Sequence, residues 1–502
     1  MKIPLSWLRE FVPVDAEPTA LADKLSVSGF AVEEMIVMGR GVSGVVVGEV
    51  RSMREHPNSD KLMLVRAFDG RAERDIVCGA RNYVVGDRVP LALPGAKLPG
   101  GMEIAQRVVR GETSDGMLCS ARELEISEDH AGIMILDRDA PLGADLVRTL
   151  DLDDVVFHLD ITTNRPDALS VIGIAREVAA LYKLPLTIPV ASVAESGPDA
   201  ASLASVKVED ARGCPRYLAR VVEGVTVGSS PWWMRRRLYA CGMRPISNVV
   251  DVTNYVLLER GQPLHAFDLD RLGGNAIVVR KPRKGERITT LDGVERALER
   301  DDVLICDAAR PVAVAGIMGG ADSEVSATTS RLLLESAYFD PIRIRPTARR
   351  LGLRTEASMR FERGADPEGV PAAADRAAEL LASLAGGTVA RGAIDVYPKP
   401  VKQRRIKLRV ARASSLIGVP LDGAEIGGHL RALGCGVEAS KTAVRATVPS
   451  WRPDLAIEED LIEEVARLHG YDLIPEALPE GARIGGLSED QRKERVARRI
   501  LL

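Results

Sequence analysis

The sequence predicts a multidomain α+β chain, on three observations. At about 150 residues per domain, 502 residues make three or four domains, and single cores stop growing beyond roughly 250–300 residues. Between 39 and 150, short Val-rich runs alternate with Gly and Pro turns, whereas helix-like and strand-like patterns mix on both sides of that stretch. Two Pro-bearing stretches, 187–204 and 397–400, read as linkers. The architecture expected is a small α/β domain with an inserted OB-type β-barrel, then a large mixed α/β domain, then a compact α/β module.

Taken in order, residues 1–38 read helix, helix, strand, with Pro18 at a first helical position and Gly29 as a stop. Strand-like runs follow at Val45–Val50, Leu62–Ala67, Asp75–Cys78, Arg88–Leu93, Gln106–Val109 and Gly132–Leu136. Their spacing fits a small barrel. A strand near Val155–Ile161 and a helix from about Ala168 to Tyr182 return to mixed structure, so the two flanks, 1–38 and 151–186, form one split domain around 39–150. Region 205–395 closes on a helix from about Pro371 to Leu384, stopped by Gly386-Gly387. The unit 402–477 reads strand, helix (Leu421–Leu433), strand (Ala443–Val448), helix (Asp454–His469). Residues 488–502 are charged and helical.

Composition excludes several classes. No apolar run approaches the ~18 residues of a membrane span, and the start lacks the apolar stretch of a secretory signal. Six scattered cysteines with no CxxC pair argue against a zinc ribbon or a disulfide framework and fit a reducing cytoplasm. Lys+Arg 67 against Asp+Glu 71 gives −4, so nucleic-acid binding has to be local. In 39–150 the balance is 15 basic to 17 acidic residues, leaving Arg51, Arg54, Lys61 and Arg66 as a candidate patch.

Three further features stay open on pattern alone. Gly316-Ile317-Met318-Gly319-Gly320 is either a strand-to-turn junction or a place where a ligand approaches bare backbone. His265 is a structural histidine or a site residue, with Thr253-Asn254-Tyr255 upstream and Glu335-Ser336-Ala337 downstream. Asp460, Glu463 and Glu464, spaced for neighbouring parts of a helix face, with Asp454 ahead of them, are a solvated acidic stripe or oxygen ligands for a hard cation such as Mg²⁺.

In several motifs the whole chain resembles the N-terminal part of bacterial phenylalanyl-tRNA synthetase β subunits. They are Ile3-Pro4-Leu5-Ser6-Trp7-Leu8, the His56–Leu62 stretch, Val77–Asn82, Ser114–Ser120, Thr163-Asn164-Arg165-Pro166-Asp167, Val250–Val256, Gly316–Gly320 and Phe361-Glu362-Arg363-Gly364. The resemblance implies that 39–150 binds tRNA, that 205–395 is an editing domain hydrolysing mischarged Tyr-tRNA(Phe), and that 402–477 is a helix-turn-helix-like module. It implies an editing site of Thr253, Asn254, His265, Gly319, Glu335, Thr355 and Ala357, with Arg244 at the tRNA end or shaping the pocket. It assigns Asp454, Asp460, Glu463 and Glu464 to Mg²⁺ shared with an α subunit. That subunit would carry ATP-dependent aminoacylation in a cytoplasmic assembly of two α and two β chains on tRNA(Phe), without a membrane. Family chains continue past residue 502, so 478–502 is expected to open a catalytic-like module cut short. Two rivals are a non-enzymatic tRNA-binding or assembly module and a freestanding trans-editing hydrolase.

The resemblance has a physical rationale. A pocket shaped for phenylalanine rejects an analogue that merely adds a hydroxyl by only about a hundredfold, whereas a site built to bond the hydroxyl rejects the analogue lacking it by about 10⁴–10⁵. Glu335 is the expected acceptor.

Overall fold

The computed structural model describes residues 1–127, 130–476 and 485–502. The expected boundary at 477/478 lies outside the described residues. The chain is a mixed α+β assembly of several sheets.

Lys2–Pro4, Val155–Leu159 and Val32–Val37 pair antiparallel in one sheet, with Val155–Leu159 in the middle. Strands from both flanks of the 39–150 segment thus share one sheet. Alternation buries Ile3 and Phe157 beneath the helices. The Pro18–Val27 helix starts on its proline, where the missing N–H costs nothing. The Val171–Tyr182 helix starts where the Ser170 side chain accepts from the Gly173 N–H, satisfying one of the orphan donors of a first turn.

The inserted segment forms a six-stranded antiparallel sheet. Its main path runs Met117–Leu118, Arg88–Leu98, Ser43–His56, Ser59–Phe68, Glu73–Cys78, and Met102–Glu103 pairs onto Arg88–Leu98. Among the described residues this path is open and no pairing closes a barrel. Gly132–Leu136 is not a strand. The His56–Leu62 stretch is a tight hairpin: strand pairing reaches His56↔Ser59. His56 is buried, Asn58 N–H donates to its Nδ1 at 3.1 Å, and Asn58 Nδ2 reaches the Arg110 carbonyl at 3.0 Å. These bonds explain the motif as a turn pinned to the neighbouring Arg107–Ser114 segment.

The stretch read as a linker, 187–204, contains a strand. Glu195–Asp199 pairs parallel to Thr388–Arg391 and joins a six-stranded sheet with Arg216–Glu223, Arg331–Tyr338, Leu264–Asp268 and, off the main path, Ile394–Val396. Its exposed Ser, Gly and Pro residues give no alternation; besides the backbone pairing, Glu195 holds Arg220 at 2.8 Å and Asp199 holds Arg391 at 3.0 Å. The Asn248–Arg260 and Val370–Ala385 helices share a core with Ala266, Leu332 and Leu334 from one face. The opposite face, carrying Phe267, Leu333 and Ala337, packs toward a five-stranded sheet that ends in Pro311–Val314 and Met318–Gly319. The Trp232–Ala240 helix bridges to the inserted segment: Trp232 Nε1 donates to the Leu150 carbonyl at 3.0 Å and Arg235 to Asp137 at 2.5 Å.

The 402–476 part has a three-stranded antiparallel sheet, Arg405–Arg409, Ala443–Thr447 and Gly436–Ala439, covered by the Val410–Ile417, Gly423–Ala432 and Glu458–His469 helices. The last helix starts at Glu458, four residues later than read, because Asp454 and Leu455 lead into it as irregular chain. Among the described residues, no helix is long and apolar enough to cross a membrane.

Candidate functional site

His265 and Glu335 are register partners across Leu264–Asp268 and Arg331–Tyr338. Side chains alternate along a strand, so both project with Phe267 and Leu333, away from the two covering helices and toward the second sheet. Glu335 is 6% exposed, and its Oε2 accepts from Tyr217 Oη at 2.8 Å. Burial pushes its carboxyl up to about 8, against the opposing bond from Tyr217. The His265 ring lies edge-on to Phe267, with centroids 4.4 Å apart. Burial pulls it down to about 4, so it is neutral at pH 7. Its Nε2 is enclosed and has no hydrogen-bond partner among the described residues.

Gly319 completes this corner. A Cβ there would stand 2.8 Å from His265 Cε1 and 3.0 Å from its Nε2. The bare α-carbon is therefore what lets the Met318–Gly319 strand close over the imidazole. Thr355 is tied to the same turn: its hydroxyl donates to the Ile317 carbonyl at 2.9 Å while accepting from Ser358 N–H, capping the Glu356–Phe361 helix. Ala357 follows in the first turn and packs on the same core. The structure thus gathers His265, Glu335, Gly319, Thr355 and Ala357 around one corner between two sheets. Thr253 and Asn254 sit apart, on the helix that covers the opposite face. The Thr253 hydroxyl donates to the Val250 carbonyl at 2.7 Å, and neither side chain hydrogen-bonds His265 or Glu335.

The four carboxylates read as one metal face do not converge. Glu463 is exposed while Glu464 is buried, as the ~100° step between successive helical residues requires. Glu464 holds Arg452 at 2.9 Å and Arg467 at 2.8 Å. Those two guanidinium groups hold its carboxyl well below the usual carboxylate range despite burial. Asp454 pairs with Arg452 at 2.8 Å. Asp460 accepts from the Ala456 and Ile457 N–H groups at 2.7 and 2.8 Å, closing the helix start. Three of the four are committed to cations or backbone, so within this chain the set does not fit one Mg²⁺ ion.

The basic patch is also reduced. Arg51 pairs with Glu49 at 2.7 Å and Arg66 with Asp75 at 3.0 Å. Arg54 and Lys61 make no ion pair among the described residues and are exposed. Arg244 is exposed and lines a cavity of about 830 Å³ with Lys2, Arg40 and Arg122, away from the His265 corner.

Sequence reasoning missed two features. Tyr217 lies in the Arg216–Glu223 strand, far from Glu335 in sequence, and meets it only through strand pairing. The Thr163–Asp167 motif turns out to anchor a buried ion network. Arg165 pairs with Asp167 at 2.8 Å and Glu177 at 2.5 Å, and Glu177 with Arg467 at 2.7 Å. Through Glu464 and Arg452 this chain of charges fastens the 402–476 part to the N-terminal unit. Arg467, set between Ala466 and Leu468, was the available signal.

Three family patterns match the chain: "Putative tRNA binding domain" over 45–145, "B3/4 domain" over 213–386 and "tRNA synthetase B5 domain" over 406–471. The chain is 50% identical over 500 residues to the phenylalanine–tRNA ligase beta subunit of Anaeromyxobacter dehalogenans, covering 99% of this chain and 62% of that one. It is 51% identical over 506 residues to that of Geobacter sulfurreducens, covering 100% and 63%. A solved N-terminal fragment of the phenylalanyl-tRNA synthetase β subunit from Pyrococcus horikoshii aligns at TM-score 0.42 and 13% identity, over 93% of this chain and 99% of that one. The chain spans a little over three-fifths of the length of these two beta-subunit relatives.

Proposed function

The chain belongs to the family of phenylalanine–tRNA ligase β subunits, and from that premise we propose that it binds tRNA(Phe), assembles with a catalytic α subunit in an α₂β₂ ligase, and hydrolyses Tyr-tRNA(Phe). On this reading 39–150 is an OB-type tRNA-binding unit, 205–395 the editing domain and 402–477 a helix-turn-helix-like module, with 1–38 and 151–186 as the frame. Amino-acid activation by ATP, with its Mg²⁺, belongs to the α subunit.

One observation carries the editing reading: a buried carboxyl and a half-buried, neutral imidazole stand side by side beneath a glycine. Glu335 already receives one donor, from Tyr217. A substrate phenol supplies a second and favours the carboxylate form; phenylalanine supplies none and leaves an unsatisfied buried group, a loss of about 1–3 kcal/mol. His265 is too weak a base at neutral pH to carry the proton transfer, since an efficient general base has a pKa near the working pH. Its unpartnered Nε2 instead accepts a hydrogen bond from water or the terminal ribose and fixes the attack geometry. Thr355, tied to the Gly316–Gly320 turn, holds that turn against the ring.

The experiment is deacylation of Tyr-tRNA(Phe) by the purified chain and by His265→Ala. Hydrolysis well above the spontaneous rate, slowed in the variant, is expected. A folded wild-type chain that leaves Tyr-tRNA(Phe) intact overturns the proposal.

A further inference from the structure

We propose that Glu425, His429 and His469 form a binding site for a divalent transition-metal ion of the zinc class, clamping the Gly423–Ala432 helix to the Glu458–His469 helix. The three side chains each offer one ligand atom, and those atoms lie within 4.8 Å of one another. Glu425 and His429 are four residues apart on one helix, hence stacked on one face. His469 is the last residue of the other helix.

The geometry leaves the ligand atoms available. His469 Nδ1 stands 3.4 Å from Glu425 Oε1. Ligands about 2.0–2.1 Å from a tetrahedral zinc are about 3.3 Å apart, so this pair already stands at that spacing and the third ligand, within 4.8 Å of both, has little further to close. His429 Nε2 is buried and has no hydrogen-bond partner among the described residues. None of the three side chains makes a hydrogen bond to any other described residue, so binding an ion breaks nothing.

The electrostatics fit a cation. His429 and His469 lie in the last turns of their helices, where the helix dipole is negative and favours positive charge. Burial pulls the His429 ring below its ordinary value, with Glu425 opposing and His469 and Lys183 reinforcing. The neutral imidazole is the form that ligates metal. Two imidazoles and one carboxylate favour zinc over Mg²⁺, which takes oxygen ligands. The site is separate from the Asp454–Glu464 carboxylates and from the His265 corner.

The test uses the tag-free full chain, stripped with chelator. Zn²⁺ is titrated by calorimetry in millimolar Mg²⁺, and the zinc-loaded protein is examined by X-ray absorption. One Zn²⁺ per chain is expected, with two imidazoles and oxygen but no sulfur in its shell. Loss of a ligand costs at least as much as loss of an outer-shell partner, about 10–100-fold in affinity, so His469→Gln and His429→Gln each weaken binding by at least that much. Absence of stoichiometric Zn²⁺, thiolate ligation, or unchanged affinity in the folded variants overturns the proposal. If a variant does not fold, the absorption spectrum of the wild-type chain decides alone.

Discussion

The buried Glu335 carboxyl makes a sharp prediction about stability. Its rise from 4.5 to about 8 corresponds to about 5 kcal/mol of preference for the protonated form. Below pH 4.5 the group is protonated folded or unfolded, and its burial is uncontested. As pH climbs from 4.5 through 8, the unfolded chain ionises first and the folded state loses stability, completely so above 8. Glu335→Gln keeps the shape and an acceptor for Tyr217 but cannot ionise. The variant is therefore expected to match wild type near pH 4.5, to exceed it by about 3 kcal/mol at pH 7 and by up to about 5 kcal/mol at pH 9. Hydrogen exchange of the Arg331–Tyr338 amides, compared between the two proteins at the same pH, reads the difference locally. Equal protection at pH 9, or a gain already complete at pH 4.5, would refute the reasoning.

His265→Gln is the mirror image. The ring falls from 6.5 to about 4, so the wild-type chain keeps its stability above pH 6.5 and loses about 3 kcal/mol as pH drops through 4; the variant should lose none, by the same exchange measurement. Gly319→Ala drives a methyl into the His265 ring at 2.8 Å, and displacing the imidazole should slow Tyr-tRNA(Phe) hydrolysis about 10²-fold with circular dichroism unchanged. Glu464→Gln takes one carboxylate partner from each of the buried Arg452 and Arg467, which keep Asp454 and Glu177; urea denaturation should show a loss of stability smaller than the about 3–5 kcal/mol of a fully unpaired buried charge. If 39–150 grips tRNA backbone, Arg54→Ala and Lys61→Ala should each reduce the salt slope of binding by about 1, while the paired Arg51 and Arg66 change it less.

Much of the fold was legible because local rules agreed with the structure. Pro18 does start a helix, and Gly386 ends one in a left-handed conformation. The mixture of sheets and helices follows from the alternation and periodicity of apolar residues. What the sequence hid depends on neighbours brought from afar. Glu195–Asp199 looked like linker because an edge strand needs only its backbone to pair. The acidic residues stayed open between stripe and ligand set because spacing is silent about Arg452, which arrives from outside the helix and claims Asp454 and Glu464. Gly319 was equally readable as a plain turn until its missing side chain was seen to be the space the His265 ring fills. Tyr217 could not be foreseen at all, since only register sets it against Glu335.

On the proposed function, the His265–Glu335 corner distinguishes an esterified tyrosine by its phenol. The direct measurement is the ratio of kcat/KM for Tyr-tRNA(Phe) over Phe-tRNA(Phe) in the wild-type chain and in Glu335→Ala. A large preference for Tyr-tRNA(Phe) is expected, collapsing in the variant because hydrolysis of the tyrosyl ester falls. A wild-type chain indifferent to the hydroxyl, or a preference that survives loss of Glu335, contradicts it.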